Sequence, residues 1–485
     1  MASAIDGLKP EPVWRYFAEI SKIPRPSKHE ERMTAYVLDM AKKMGLEAQA
    51  DKYGNVVVRK PASPGKEQAK MICLQGHLDM VPEKNKDKVH DFLKDPIELV
   101  RKGNMLMANG TTLGADNGIA VATMLAIMED TTIVHGPLEF LFTVDEETGL
   151  TGANHLKGSM LQSRTMMNLD SEEEGSIYVG CSGGKDCVGT WKLAAQPLPR
   201  RAKVMLVTVK GLKGGHSGLE IDKNRGNAIK ILNRVLLALS EAGVRVATFN
   251  GGNKRNAIPR EAEALVAVPA AVVSKAKKIV RDLEPVLKAE VATVDPDLSI
   301  SIAPAEAPKK LKVWTPALQQ QVLRTIAALP HGVIKMSSDI PGLVETSTNV
   351  AVITTDGKAV TLGTSQRSSV ASEIREINQT VQFIFTMGGA KTSIGDGYPG
   401  WKPNLQSAIL QTAKSTYKQI AGKDPEIKAI HAGLECGIIG EKVPGMDMIS
   451  FGPTLEGVHS PDEKIHIDTV ERFWNFLLAI LRNAN

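Results

Sequence analysis

His77 and Asp79 stand one residue apart at the end of the apolar run that opens MICL at Met71. In an extended strand alternate side chains share a face, so an imidazole and a carboxylate would leave this strand side by side. One histidine beside a core strand is ordinarily a hydrogen-bonded structural group, and chemistry needs further groups at the same place. The chain supplies them. LEFLFTVDEETG ends in Asp145, Glu146 and Glu147, RTMMNLDSEEEG carries Asp170, GADNG sets Asp116 before an apolar helix, and DMISFGPTLEGVHSPDE leads to His459. Taken singly, Asp116 reads as a helix N-cap, Glu146 and Glu147 as solvated loop charges, and His459 as a surface residue. Crowded at one sheet edge, the carboxylates would repel and raise one another's pKa unless cations neutralised them. Two imidazoles and three carboxylates suit a pair of divalent ions such as Zn²⁺, Co²⁺ or Mn²⁺. Two such ions roughly 3.5–4 Å apart, sharing a carboxylate and a water, make a hydrolytic site.

The elements that must position these groups are legible as patterns. SKHEERMTAYVLDMAKKMG reads as an amphipathic helix, with Ser27 and Glu30 at capping-box spacing and Gly45 as its stop. NVVVR, MICLQGH, LEFLFTV and RTMMNLD are continuous or near-continuous apolar runs, as strands covered on both faces should be, and GIAVATMLAIMED is an apolar helix between them. Helices alternating with buried strands predict an α/β domain of mixed, mostly parallel sheet. Beyond the glycine-rich CSGGKDC the strands alternate, as in VMLVTVKG and ALVAVPA, and TTDGKAVTL carries a hairpin signal at Asp356-Gly357. Buried-strand patterning returns after YPGWKP with IKAIHAG and DMISFGP, and IDTVERFWNFLLAILRN is the last helix. The organisation expected is a discontinuous α/β catalytic domain, 1–186 and 401–485, with an α+β domain, 187–400, inserted into it.

Composition narrows the function classes. At 485 residues the chain is too long for one core. A net charge of +5 spread over short runs such as KAKK and KKLK, with 4% aromatics, argues for solvated helix faces over a nucleic-acid surface. The first residues carry Asp6, Lys9 and Glu11 where a signal peptide needs an apolar run, and no stretch reaches membrane-spanning length. Four cysteines without a CxxC give neither a disulfide framework nor a thiolate metal site, so reduced thiols in a cytoplasmic protein are expected.

HLDMVP, GADNG, DEETG, NLDSEEEG and GVHSPDE together resemble the M20 family of dinuclear metallopeptidases, over nearly the whole chain. GLKGGHSGLEI, GGNKRNAIPRE, YPGW and IHAGLECG narrow the resemblance to that family's Xaa-His dipeptidase branch. It implies that His77, Asp116 and Asp170 hold one metal and that Asp116, Glu147 and His459 hold the other, with Zn²⁺ expected and Co²⁺ or Mn²⁺ as alternatives. It implies that Glu146 is the general base on the water, that Asp79 orients His77, and that the Asp116-Asn117 peptide is cis. His216 of GGHSG would hydrogen-bond the scissile carbonyl. Asn256, Arg367 and Gly433 would bind substrate, with Arg367 facing its carboxylate, a task that suits a bidentate guanidinium. The insert would be a lid and dimerisation domain of a homodimer. The activity implied is hydrolysis of Xaa-His dipeptides, β-alanyl-histidine among them. An N-acyl-amino-acid deacylase on the same scaffold would share every metal ligand, and a binding protein with a degenerate site would lack one or more of them.

Overall fold

The computed structural model describes residues 4–484. The chain divides into two compact units. The first is made of residues to Cys181, Pro403–Ala429 and Leu434 onward, and the second of Ser182–Lys402 and Ile430–Gly433.

The first unit is built on an eight-stranded sheet. Its centre is four parallel strands, Leu138–Thr143, Ile72–His77, Thr165–Asn168 and Asp447–Ser450 in spatial order. Antiparallel strands flank them, Glu47–Ala50 and Val56–Lys60 on one side, Ser176–Cys181 on the other. Every residue of Ile72–His77 and Leu138–Thr143 is buried, which is why these runs lack polar alternation. The helix Ala115–Glu129 is buried along nearly its whole length and packs against both the 72–77 strand and the helix Glu11–Ile20. The helix Ile467–Asn483 packs on Ala408–Ala421. A small antiparallel sheet, in the order Leu455–Glu456, Lys464–His466, Met105–Ala108 and Leu99–Lys102, carries the 457–463 turn.

The helix after Ser27 differs from its sequence reading. It spans Glu31–Lys43, and no side chain caps it. The Ser27 hydroxyl donates instead to Asp79 Oδ2 (2.8 Å), and Glu30 Oε1 accepts the N–H groups of Lys28 and Asp145 (both 2.9 Å). The two side chains at capping-box spacing are therefore engaged by Asp79, Lys28 and Asp145 and leave the helix uncapped.

The second unit is a nine-stranded sheet whose pairings are all antiparallel, with Ser299–Pro304 at one edge and Lys391–Ile394 at the other. Val344–Thr355 and Ala359–Ser368 form the hairpin expected at Asp356-Gly357, and Asp356 Oδ1 accepts the N–H groups of Lys358 and Ala359 to close it. The helices Ala228–Glu241, Val273–Val291, Pro316–Ala328 and Ala371–Met387 cover a core that includes Phe249, Trp314 and Phe385. A two-stranded ribbon pairs Gly215–His216 with Ala257–Ile258.

Candidate metal centre

The carboxyl ends of the parallel strands converge, as ligand-bearing ends do in open α/β sheets. His77 closes its strand with Nε2 at 3.1 Å from Asp116 Oδ1 and 3.4 Å from Asp170 Oδ1. His459 Nε2 lies 3.2 Å from Asp116 Oδ2 and 2.9 Å from Glu147 Oε2. The two oxygens of Asp116 therefore serve two different sets of partners. Ligand atoms of His77, Asp116 and Asp170 lie within 4.8 Å of one another, and so do those of Asp116, Glu147 and His459, and of His77, Glu146 and Glu147.

The surrounding chain fixes these side chains through backbone groups. Asp79 Oδ1 faces His77 Nδ1 at 3.3 Å and accepts the N–H of Glu146 (3.0 Å), while Oδ2 accepts the N–H of Glu147 (3.3 Å). One carboxylate thus orients an imidazole and the turn that carries both glutamates. Asp145, at a left-handed φ of 50°, starts that turn, and its carboxylate accepts the hydroxyls of Thr148 and Thr151. Asp116, second in the 115–129 helix, has non-helical angles, and its peptide bond to Asn117 is cis. Asn117 Oδ1 accepts the His77 N–H (3.2 Å) and its Nδ2 donates to Leu169 O (3.0 Å), tying the His77 and Asp170 strand ends together. Gly76 makes this approach possible, since a Cβ there would lie 2.4 Å from Asn117 Oδ1.

The donor set fits divalent metals. Glu147 Oε1 and Asp170 Oδ1 are buried without a hydrogen-bond partner, a costly state for ligand-type oxygens unless a cation meets them. Burial, then Asp116 and Glu147, lifts the Asp170 carboxyl to about 6 against the pull of His77. Burial also raises Glu146 and Glu147. Hydrogen bonds donated to Asp116 and Glu147 carry His459 to about 11. Burial works to lower His77, but Asp170, Asp116 and Asp79 together hold it well above the usual histidine range. Burial works to raise Asp116, but hydrogen bonds from the two histidines hold it low, while Asp170, Glu146 and Glu147 are pushed up, so the pocket has more carboxylate than its two imidazoles can neutralise. Asp116 offers one oxygen to each triad, which is the geometry of a bridging ligand.

The other candidates lie in the second unit. His216 Nδ1 accepts the N–H groups of Gly218 (3.2 Å) and Leu219 (3.1 Å), which leaves its proton on Nε2. Burial, then Arg367, lowers it to about 4, so the ring is neutral. The Asn256 carbonyl accepts the Ser217 N–H (2.8 Å) across the ribbon. Arg367 is 6% exposed, donates from Nη1 to the Tyr398 hydroxyl (2.9 Å) and keeps Nε without a partner. A Cβ at Gly218 would lie 3.1 Å from His216 Cε1 and 3.2 Å from Arg367 Nε, so the two side chains flank one glycine. Gly433 adjoins Tyr398, whose ring would lie 2.8 Å from a Cβ there.

Four supporting residues escaped the sequence reading. Glu435 is wholly buried, accepts from Gln75 Nε2 (2.5 Å) and Thr143 Oγ1 (2.6 Å), and burial lifts it to about 7. Arg25, 2% exposed, donates to the carbonyls of Leu78 and Asp79 (both 3.0 Å) and Gly114 (2.6 Å). Glu30 and Glu463 are the others. Glu435 stands in IHAGLECG, Glu463 ends GVHSPDE and Glu30 stands at capping-box spacing, but none of these signals announces the tertiary partners, and Arg25 stands in no motif.

Residues 73–483 match the sequence profile described as Peptidase family M20/M25/M40. The chain belongs to that family. This M20 chain is a metallopeptidase. It is 43% identical over 481 residues to the cytosol non-specific dipeptidase of Escherichia coli K12, covering 99% of both chains. It superposes on the crystal structure of aminoacylhistidine dipeptidase from Vibrio alginolyticus with a TM-score of 0.92 at 42% identity, covering 100% of this chain and 98% of that one. Human carnosine dipeptidase 1 shares the fold at 14% identity and a TM-score of 0.51, covering 97% of this chain and 96% of that one. Among the described residues no helix is long and apolar enough to cross a membrane.

Proposed function

We propose that this M20 chain is a dinuclear dipeptidase acting on dipeptides with a free carboxylate, those with C-terminal histidine such as β-alanyl-histidine included. The observation that carries the reading is Asp116, whose two oxygens face two separate histidine–carboxylate sets. The relatives named for dipeptide hydrolysis, one of them for aminoacylhistidine substrates, support the substrate class, and the Escherichia coli name supports a cytosolic location.

In this reading His77, Asp116 and Asp170 hold one ion, and Asp116, Glu147 and His459 hold the other, with Zn²⁺ the first expectation and Co²⁺ or Mn²⁺ as substitutes. When bound, a pair of divalent ions supplies Lewis-acid activation of a water and of the scissile carbonyl. Glu146 takes the proton from that water and returns it to the leaving amine. Asp79 holds the His77 ring with Nε2 towards the ligand set. The neutral His216 donates from Nε2–H to the developing oxyanion. Arg367, with Nε unpartnered, pairs with the substrate carboxylate, beside Asn256 and Gly433. The second unit is assigned as lid and dimerisation domain, and Phe383 (54% exposed) and Met387 (79% exposed) on its helix Ala371–Met387 give it an apolar surface.

A panel of β-alanyl-histidine, other dipeptides and N-acetyl amino acids, each with and without chelator, tests this. Chelator-sensitive cleavage of the dipeptides is expected. Preference for the N-acyl substrates would make the chain a deacylase, and hydrolysis of neither would leave it a binding protein.

A further inference from the structure

We infer that Glu463 is a positioning residue that sets the Asp116 carboxylate between the two histidines, an inference that rests on the metal reading above. Glu463 is 2% exposed. Its Oε2 accepts the N–H groups of Leu113 (2.7 Å) and Gly114 (3.0 Å), and its Oε1 those of Ala115 (2.8 Å) and Asp116 (3.2 Å). Four consecutive backbone donors converge on one carboxylate, and the fourth belongs to Asp116 itself. Gly114, at a φ of 70°, turns the chain so that they can.

The same turn carries His459. Ser460 closes it, since its hydroxyl donates to Gly457 O (2.7 Å) and accepts the Asp462 N–H (3.2 Å), and its carbonyl accepts the Glu463 N–H (3.1 Å). The strands Leu455–Glu456 and Lys464–His466 pair on either side of it. His459 and Glu463 are therefore parts of one braced turn. One end of that turn meets the side chain of Asp116, the other its backbone. On the opposite face Arg25 holds the Gly114 carbonyl together with those of Leu78 and Asp79, beside His77. A plain helix cap would need one or two N–H groups satisfied. Here a full carboxylate is placed among acidic neighbours, with all its capacity directed at the residues leading into Asp116. Partners that orient a metal ligand typically change affinity about 10–100-fold when removed.

The test is a Co²⁺ titration of the full chain, followed by visible absorption, at a temperature where each variant is folded by circular dichroism. In Glu463→Gln an amide –NH₂ would face two of the four N–H donors. Affinity at both sites should fall about 10–100-fold and the absorption bands should change, because both sites share Asp116. Glu463→Asp should recover part of the loss. Ile465→Val, a buried change on the next strand, should lower thermal stability without changing the Co²⁺ affinity of the folded protein. Co²⁺ affinity within twofold of wild type in folded Glu463→Gln overturns the inference. So does a loss matched by Ile465→Val, or failure of both Glu463 variants to fold, which would make the residue a folding determinant. Asp116→Asn separates the two readings. If it binds two Co²⁺ normally, the metal assignment fails. If it loses them while the Glu463 variants do not, only the positioning role fails.

Discussion

Asp79 touches three groups that must agree on one geometry: the His77 ring, the Glu146 and Glu147 N–H groups, and the Ser27 hydroxyl. Asp79→Asn keeps the shape but presents an amide to at least one of these donors. Metal affinity should drop about 10–100-fold, and a chelator-competition assay giving the wild-type value would dismiss the role. Glu146 is different, because its backbone is held but its side chain is not assigned to a ligand. Glu146→Gln should keep two metals per chain by elemental analysis while turnover falls about 10²–10⁴-fold. A variant with near-normal turnover, or one missing a metal, would reassign the proton transfer. At this scale the five ligand candidates were legible as motifs, His77, Glu147 and Asp170 at strand ends, Asp116 ahead of an apolar helix and His459 in GVHSPDE. The sequence was silent on Arg25 and on the roles of Glu30 and Glu463, which stood at a capping-box spacing and at the end of GVHSPDE but accept backbone N–H groups that no motif predicts.

Among the elements, the buried strands and the long apolar helix were legible because burial on both faces leaves a continuous apolar run. The start of the 31–43 helix was misread, because Ser27 and Glu30 serve tertiary partners in place of the local cap their spacing suggested. The second unit holds three histidines kept neutral by burial. His216 and His331 are lowered to about 4 and His431 to about 3, with Arg367 adding to the effect on His216 and His431 and Lys230 to that on His331. An unfolded histidine binds its proton near pH 6.5. Between pH 6.5 and about 4 the unfolded chain therefore holds more protons than the folded one, and stability falls as pH is lowered through that window. Hydrogen exchange in the strands Val344–Thr355 and Ala359–Ser368 should accelerate from pH 7 to pH 4.5, after correction for the intrinsic rate. Unchanged protection would mean that these rings accept protons in the folded state.

Considered as a whole molecule, the chain keeps all five metal-ligand candidates in the first unit and gives each unit a core of its own. A ligand that binds only the folded state stabilises it by mass action, about 2.7 kcal/mol at one hundred times its Kd. Adding Zn²⁺ to metal-free protein should slow exchange in Ile72–His77, Leu138–Thr143 and Thr165–Asn168 while leaving the core strands of the second unit unchanged. Equal protection of both units would show that they unfold as one.

The strand Asp447–Ser450 lies between Thr165–Asn168 and Ser176–Cys181, yet it follows the whole second unit in the chain. A growing polypeptide on the ribosome thus completes the second unit while the first still has a vacant slot in its sheet. Until residues 447–466 emerge, two hydrogen-bonding edges stay open, and the acidic turn ends have neither His459 nor Glu463 to organise them. Open strand edges are templates for mispairing, so the topology places that hazard between the synthesis of the 165–181 strands and of the 447–450 strand. The ligand set proposed for the metals is correspondingly incomplete until His459 has been made.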